Sequence, residues 1–296
     1  MDRIIGCILG GAIGDAIGCA YENAPAPVEI DEPEEWGLSD DTQLTLATCE
    51  AIIEAGGTVV PERIAARFAE WHKRDRVTGI GASTLKALTE LSSGGHWALV
   101  GRKGERAAGN GAAMRIAPLA FCLDPTKYLA RQTIRDVSRI THHHEEAYVG
   151  ALAVVIAINA MLDRRWQGQE QLLRLVAESL PDTSVKDRLR QLAGLDESVP
   201  LLEIAGRFGC SGYVVESVPL ALCGASRVGQ LGFKMMLTQL IACGGDTDTI
   251  ASIAGQVAGA FLGGDQLPRE MLFRLPERQL IESVAHKFAE TVKAND

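Results

Sequence analysis

The stretch Gly244-Gly245-Asp246-Thr247-Asp248-Thr249-Ile250-Ala251 sets two carboxylates and two hydroxyls between a glycine pair and an apolar run. The run continues to Leu262 and carries Ala251, Ala254, Gly255, Ala258 and Gly259 at helical spacing. Small residues on one stripe let a second helix pack closely. The acids therefore stand at the mouth of a buried helix. Residues two apart lie on different sides of a regular helix, so Asp246 and Asp248 converge only by flanking its first turn. Oxygen donors from a turn plus one helical turn suit Mg²⁺, Mn²⁺ or Ca²⁺. Acids at a helix N-terminus also complement the helix dipole without any ion. A second acidic stretch tips the reading toward a cation.

That stretch is Ser39-Asp40-Asp41-Thr42, which opens a helix running to about Glu54, with Ser39 as its N-cap. Buried carboxylates repel one another and lose hydration unless a cation or proton intervenes. Two acid-loaded helix mouths point to a two-metal site, in which ions sit roughly 3.5–4 Å apart. Gly109-Asn110-Gly111 offers bare backbone N–H groups of the kind that bind phosphate. Arg115 either adds a guanidinium fork there or ties down a nearby loop. His142, His143 and His144 have no Cys or His partner at zinc spacing. Read as a helix start, they point in different directions, so at most one faces a pocket. No Gly-x-Ser-x-Gly elbow and no Walker loop occurs in the chain.

The chain has 296 residues, 47% of them hydrophobic and only 5% aromatic, which supplies a large core of closely packed helices. A net charge of −9 argues against a broad nucleic-acid surface. The seven cysteines form no CxxC pair, as expected of free thiols in a reducing cytoplasm. No signal peptide is legible at the N-terminus. Ala147–Leu162 is apolar but short for a membrane span and contains Gly150 and Asn159, so it reads as a core helix.

Further helices are expected over Ile4–Ala20, Pro61–Trp71, Gly79–Leu91, Ala112–Phe121 (kinked or ended by Pro118), Pro125–Arg139, Trp166–Leu180, Ser184–Leu192, Leu201–Phe208, Val214–Ala225, Gly229–Ala242 and Glu277–Lys293. Glu22–Glu35 reads as a Pro-rich acidic loop. Strand patterns are scarce, and no long linker divides the chain. The expectation is one all-α domain over residues 1–296.

Taken together, Gly14-Asp15-Ala16-Ile17-Gly18 with Glu22, Ser39-Asp40-Asp41-Thr42-Gln43, Gly109-Asn110-Gly111-Ala112-Ala113-Met114-Arg115, Thr141-His142 and Gly244–Ala251 resemble the motifs of the ADP-ribosylglycohydrolases, in the family's order. The resemblance implies a compact, single-domain orthogonal helical bundle with two Mg²⁺ or Mn²⁺ ions in a cleft. It implies Ser39, Asp40, Asp41, Asp246, Asp248 and Thr249 as metal ligands. Glu22 takes the place of a mobile glutamate near the metals. Gly109, Asn110, Gly111 and Met114 correspond to the substrate loop, and His142 to a pocket histidine. Tyr213, after Gly209-Cys210-Ser211-Gly212, matches a residue that packs on the distal part of the ligand. The family usually has Thr where Ser39 stands, and some relatives carry Asp where this chain has Ala107.

The implied reaction is hydrolysis at the anomeric carbon of an ADP-ribosyl group, releasing ADP-ribose from a protein or a small molecule. The metals would bind ribose hydroxyls and orient a water, and nearby carboxylates would complement an oxocarbenium-like centre. The sequence leaves open which of Glu22, Asp40 and Asp41 accepts the water's proton. It also leaves open the leaving group: arginine, serine, a nucleic-acid base, an acetyl ester or a free small molecule. Two other readings keep the same motifs: an inactive ADP-ribose-binding or structural homologue, and a two-metal pyrophosphohydrolase. The expected location is the cytoplasm, with no membrane partner.

Overall fold

In the computed structural model, which describes residues 1–30, 36–162, 165–166 and 171–294, helices dominate. The first six are α1 (Asp2–Gly18), α2 (Asp40–Glu54), α3 (Pro61–Lys73), α4 (Ala82–Ser92), α5 (Tyr128–Arg139) and α6 (Glu145–Leu162). There follow α7 (Leu172–Ser179), α8 (Ser184–Ala193), α9 (Leu201–Phe208), α10 (Val214–Ser226), α11 (Val228–Leu231) and α12 (Phe233–Ile241). The chain ends in α13 (Thr247–Leu262), α14 (Arg269–Arg274) and α15 (Arg278–Lys293). The only sheet among the described residues is a parallel pair of two-residue strands, β1 (Arg102–Lys103) and β2 (His142–His143). The all-α expectation holds.

α1 and α13 form the axis. They run antiparallel, with Gly6 against Gly259, Gly10 against Gly255, Gly14 against Ala251 and Gly18 against Asp248. A Cβ on Gly10 would lie 2.4 Å from the Gly255 carbonyl oxygen, and one on Gly255 would lie 2.1 Å from that of Gly10. Backbones this close leave no room for any side chain, so the small stripe in the sequence fixes the helix pair. The same contact seats the C-terminal turn of α1 on Asp248, and Thr247 donates its hydroxyl to the Gly18 carbonyl at 2.8 Å.

α6 packs against both this axis and α10, and its residues from Ala147 to Met161 are buried. Asp2–Tyr21 and Glu145–Leu162 are long and apolar enough to cross a membrane, but 78% and 83% of these windows are buried inside the fold. Both therefore serve as core helices here. The core draws residues from Ile4 to Val292. All seven cysteines are free thiols.

Four local expectations need correction. Ala112–Phe121 is not an α-helix but part of two tight 3₁₀ turns, Asn110–Ala112 and Ala117–Phe121, with Pro118 near the start of the second. Pro lacks an N–H and suits a first turn. His142 and His143 do not start a helix; they pair in register with Arg102 and Lys103. Gly229–Ala242 is broken into α11 and α12 by Gly232, whose φ of 74° is left-handed. Of the helix expected over Trp166–Leu180, the described residues show α7, with Trp166 and Gln171 outside any helix; residues 167–170 lie outside the described residues, as do 31–35 of the acidic loop.

Candidate active site

Two helix mouths meet at the end of the α1–α13 axis. At α2, Ser39 is the N-cap, and its Oγ accepts the Asp41 N–H at 3.2 Å. The Ser39 hydroxyl donates to Asp15 Oδ1 at 2.7 Å. Asp15, wholly buried on α1, also accepts the Thr42 hydroxyl at 2.5 Å and the Thr42 N–H at 3.1 Å. Its carboxylate thus holds the first turn of α2. The sequence showed Asp15 only as part of a motif; the signal for its role was a single acid inside an otherwise apolar, small-residue helix.

At α13, Gly244 and Gly245 have φ of 68° and 73°, both left-handed. A Cβ on Gly244 would stand 2.4 Å from the Ala24 carbonyl oxygen, and one on Gly245 2.3 Å from that of Cys210. The glycine pair is thus required by backbone conformation and by close approach together. Asp246 caps α13 and Asp248 sits in its first turn, so the two flank that turn as the sequence demanded. The carboxylates of Glu22, Asp246 and Asp248 each offer one oxygen within 4.8 Å of the others. Thr249 donates its hydroxyl to Asp41 Oδ2 at 3.1 Å and so ties the two mouths together.

Glu22 has an exposed side chain but a tethered backbone. The next residue, Asn23, donates its N–H to the Gly245 carbonyl at 2.7 Å, and Gly245 donates to Ala24 at 3.1 Å. The Glu22 side chain is held by one exposed hydrogen bond, from Asn23 Nδ2 to Oε1 at 3.2 Å.

The site is strongly electronegative. Burial, then Asp15 and Asp248, pushes the Asp40 carboxyl well above the usual carboxylate range. Burial, then Asp248 and its other acidic neighbours, does the same to Asp41. Asp248 is pushed up to about 7 by burial and then by Asp246. Asp15 is pushed up to about 6 by burial, against the hydrogen bonds from Thr42 and Ser39. Glu22 is raised by burial and by Asp248. None of these carboxylates forms an ion pair among the described residues.

Asp41 Oδ1 and Asp248 Oδ1 are buried without any hydrogen-bond partner. The oxygens of Ser39 and Thr249 lie 3.3 and 3.1 Å from Asp41 Oδ2. Neighbouring ligands of an octahedral Mg²⁺, at 2.0–2.1 Å from the ion, are about 3 Å apart. Unpaired carboxylate oxygens and hydroxyl oxygens at such spacing fit a hard divalent cation.

A cleft of about 360 Å³ opens from these mouths. Glu22, Asp40, Gly109, Asn110, Gly111, Met114, His142, Asp246, Asp248 and Thr249 all line it. Ser39 and Asp41 lie beneath, buried. Asn110 donates from Nδ2 to Asp246 Oδ2 at 2.5 Å, which joins the glycine-asparagine loop to the acidic end. Tyr213 does not line the cleft. It is 42% exposed and stands at the rim, bridged to Gly109 by antiparallel pairing.

Arg102, which the sequence reading passed over, does line the cleft, placed there by its pairing with His142. Arg115 ties down a loop: it is buried and donates to the Gly111 carbonyl and to Thr141 Oγ1. His143 donates from Nε2 to the Val100 carbonyl at 2.6 Å, leaving His142 as the one histidine of the three in the cleft. A larger cavity, about 550 Å³, lies among Leu172, Leu192, Arg227 and Phe261 and contains none of these residues.

The sequence pattern of the ADP-ribosylglycohydrolases matches residues 1–296. The chain belongs to the ADP-ribosylglycohydrolase family. An uncharacterized protein of Archaeoglobus fulgidus is 29% identical, covering 98% of this chain and 96% of its own. The ADP-ribosylhydrolase ARH3 of Mus musculus is 28% identical over 90% of this chain and 86% of its own. The ADP-ribosylarginine hydrolase Tri1 of Serratia proteamaculans is 26% identical over 97% and 79%. A solved ADP-ribosylglycohydrolase-related protein complex superposes with a TM-score of 0.74 at 24% identity and covers 98% of both chains, a likeness of fold. In this member of the family, then, the motifs found along the chain meet at one cleft.

Proposed function

We propose that this chain hydrolyses the glycosidic bond of an ADP-ribosylated substrate and releases ADP-ribose, using two divalent cations, Mg²⁺ or Mn²⁺. Family membership supports the broader statement, a hydrolase acting on ADP-ribosylated substrates. The observation that carries the finer one is the meeting of the α2 and α13 mouths, where two buried carboxylate oxygens lack any partner. Ser39, Asp40, Asp41, Asp246, Asp248 and Thr249 would hold the ions. When bound, such ions orient a water and offset developing negative charge.

The chain's own residues supply the rest. Glu22 is the acid with an exposed side chain at the cleft, and burial and Asp248 raise its basicity, so it accepts the proton of the attacking water. The surrounding carboxylates complement positive charge that develops on the ribose ring. Asn110 orients Asp246. Arg102, on the wall with His142, offers the charge complementary to a diphosphate. The proposed setting is the cytoplasm.

The test is product analysis on a panel of ADP-ribosylated arginine, serine, acetyl-ester and nucleic-acid-base conjugates, with and without chelator. Metal-dependent release of ADP-ribose supports the proposal and names the leaving group; the arginine conjugate is the first to try, given what Tri1 acts on. Release of AMP would instead indicate a pyrophosphohydrolase. Binding of ADP-ribose with no turnover of any conjugate would indicate a binding protein.

A further inference from the structure

We propose that Arg115 and Thr141 hold the His142 imidazole in one tautomer, with Nε2–H presented to the cleft as a hydrogen-bond donor to a non-bridging diphosphate oxygen. The choice of a diphosphate rests on the function proposed above; the tautomer does not.

The argument starts at Arg115. It is wholly buried, and its Nη2 donates to Thr141 Oγ1 at 2.7 Å. A guanidinium has donors only. Thr141, also wholly buried, must then send its single hydroxyl proton elsewhere. The acceptor within reach among the described residues is His142 Nδ1, at 2.6 Å. Were Nδ1 itself protonated, Arg115 and His142 would both donate to the hydroxyl oxygen, and the hydroxyl proton would be buried without an acceptor. Such a loss is far more costly than an ordinary hydrogen bond is favourable. Nδ1 therefore accepts, and the ring proton sits on Nε2.

The ring stays uncharged for separate reasons. Burial, then Arg115, Arg102 and His143, brings the His142 pKa down to about 3. These are the charged and titratable groups that act on it.

Nε2 is directed at bare backbone. A Cβ on Gly109 would lie 3.1 Å from Nε2, and one on Gly111 would lie 2.8 Å from Cε1 and 3.3 Å from Nε2. Glycine at both positions leaves this edge of the ring uncovered, and Nε2 makes no hydrogen bond among the described residues. Arg102 joins it from β1, where its backbone N–H donates to the Thr141 carbonyl at 3.0 Å. Among the described residues its guanidinium makes no ion pair or hydrogen bond. The cleft thus carries a charged donor and a neutral donor beside the glycine-asparagine loop. Of the parts of ADP-ribose, the diphosphate combines negative charge with several acceptors and matches these donors. Thr141 and Arg115 are positioning residues, since they act only through His142.

The test is nitrogen NMR of the imidazole in the full-length protein labelled at histidine. The wild-type spectrum should show an unprotonated Nδ1 and a protonated Nε2, unchanged between about pH 5 and 8. A protonated Nδ1, or an ordinary midpoint within that range, overturns the proposal, and this reading needs no variant. ADP-ribose should shift the Nε2–H resonance. Thr141→Ser should keep the spectrum and the affinity. Thr141→Val, checked for fold by circular dichroism, should weaken ADP-ribose binding by about tenfold, the scale of one hydrogen bond, and let the neutral ring proton divide between Nδ1 and Nε2. Unchanged affinity in folded Thr141→Val overturns the ligand role of the relay. If wild type binds no ADP-ribose, the proposed function and the diphosphate assignment fall together, while the spectrum still decides the tautomer.

Discussion

Asp15 accepts the Ser39 hydroxyl in a 2.7 Å hydrogen bond, from a different helix. A serine hydroxyl has one proton and two lone pairs. With the hydroxyl proton directed at Asp15, one lone pair accepts the Asp41 N–H and the other is left for a cation. Groups that orient ligands in this way typically change metal affinity by 10–100-fold. Asp15→Asn should therefore weaken Mn²⁺ binding by roughly that factor. Ser39→Ala should do the same, and the double variant should be no worse than the weaker-binding single one. Calorimetry on the three variants checks this; effects that multiply would show that Asp15 acts on something other than Ser39.

Asp248→Asn should leave the fold intact while weakening metal binding and turnover together. Asp248 reaches both the Glu22–Asp246 group and the field of Asp41 and Asp15. Metal titration by calorimetry, alongside circular dichroism, is the measurement. Wild-type stoichiometry and affinity in this variant would remove Asp248 from the ligand set.

Without metal, the buried acids should make the protein less stable as pH rises. Their folded pKa values lie above the unfolded aspartate value of about 3.9, and for Asp248 the folded value is about 7. A raised carboxylate contributes stability that is complete below the unfolded value and is lost as pH climbs through the folded one. The Tm of chelated protein should thus fall from about pH 5 to pH 8, with helix content retained at 25 °C. A metal that binds only the folded state stabilises by mass action, about 2.7 kcal/mol at a hundred times Kd. Saturating Mg²⁺ should flatten the decline. Melting curves across this range decide it, and a chelated Tm that rises with pH would contradict the electrostatic picture.

Glu22→Gln should bind ADP-ribose nearly as well as wild type but lose about 10²–10⁴ in kcat, the usual scale for one general acid or base. The backbone on both sides of the Asn23–Gly245 contact is tethered, so the substitution changes one exposed side chain and little else. Steady-state kinetics paired with ADP-ribose calorimetry separates the cases. Wild-type kcat would take Glu22 out of the reaction; a large loss of affinity would make it a group that closes on the ligand.

The sequence by itself determined the helices, the caps and the chemistry of the donors. Periodicity marked α2, α6, α9 and α10 closely, because a helix repeats over four residues and its caps are local. The stripe at Ala251, Gly255 and Gly259 announced a close helix partner, and the spacing of Asp246 and Asp248 fixed where they had to sit. Family motifs named Glu22, Asp40, Asn110, His142, Asp246 and Asp248 of the cleft lining, but not Arg102. Only the tertiary structure decided how those residues act on one another. Thr249 meets Asp41 across 208 positions and Thr247 meets Gly18 across 229, and such contacts leave no local trace in composition or spacing. The same holds for Asp15 on Ser39, for the loop pinned beside Glu22, and for the Arg115–Thr141–His142 chain. Each is a hydrogen bond whose donor and acceptor are recognisable in the sequence. Its partner is set by which buried group has a lone pair or a proton left unmatched, and that is known only once the helices have packed.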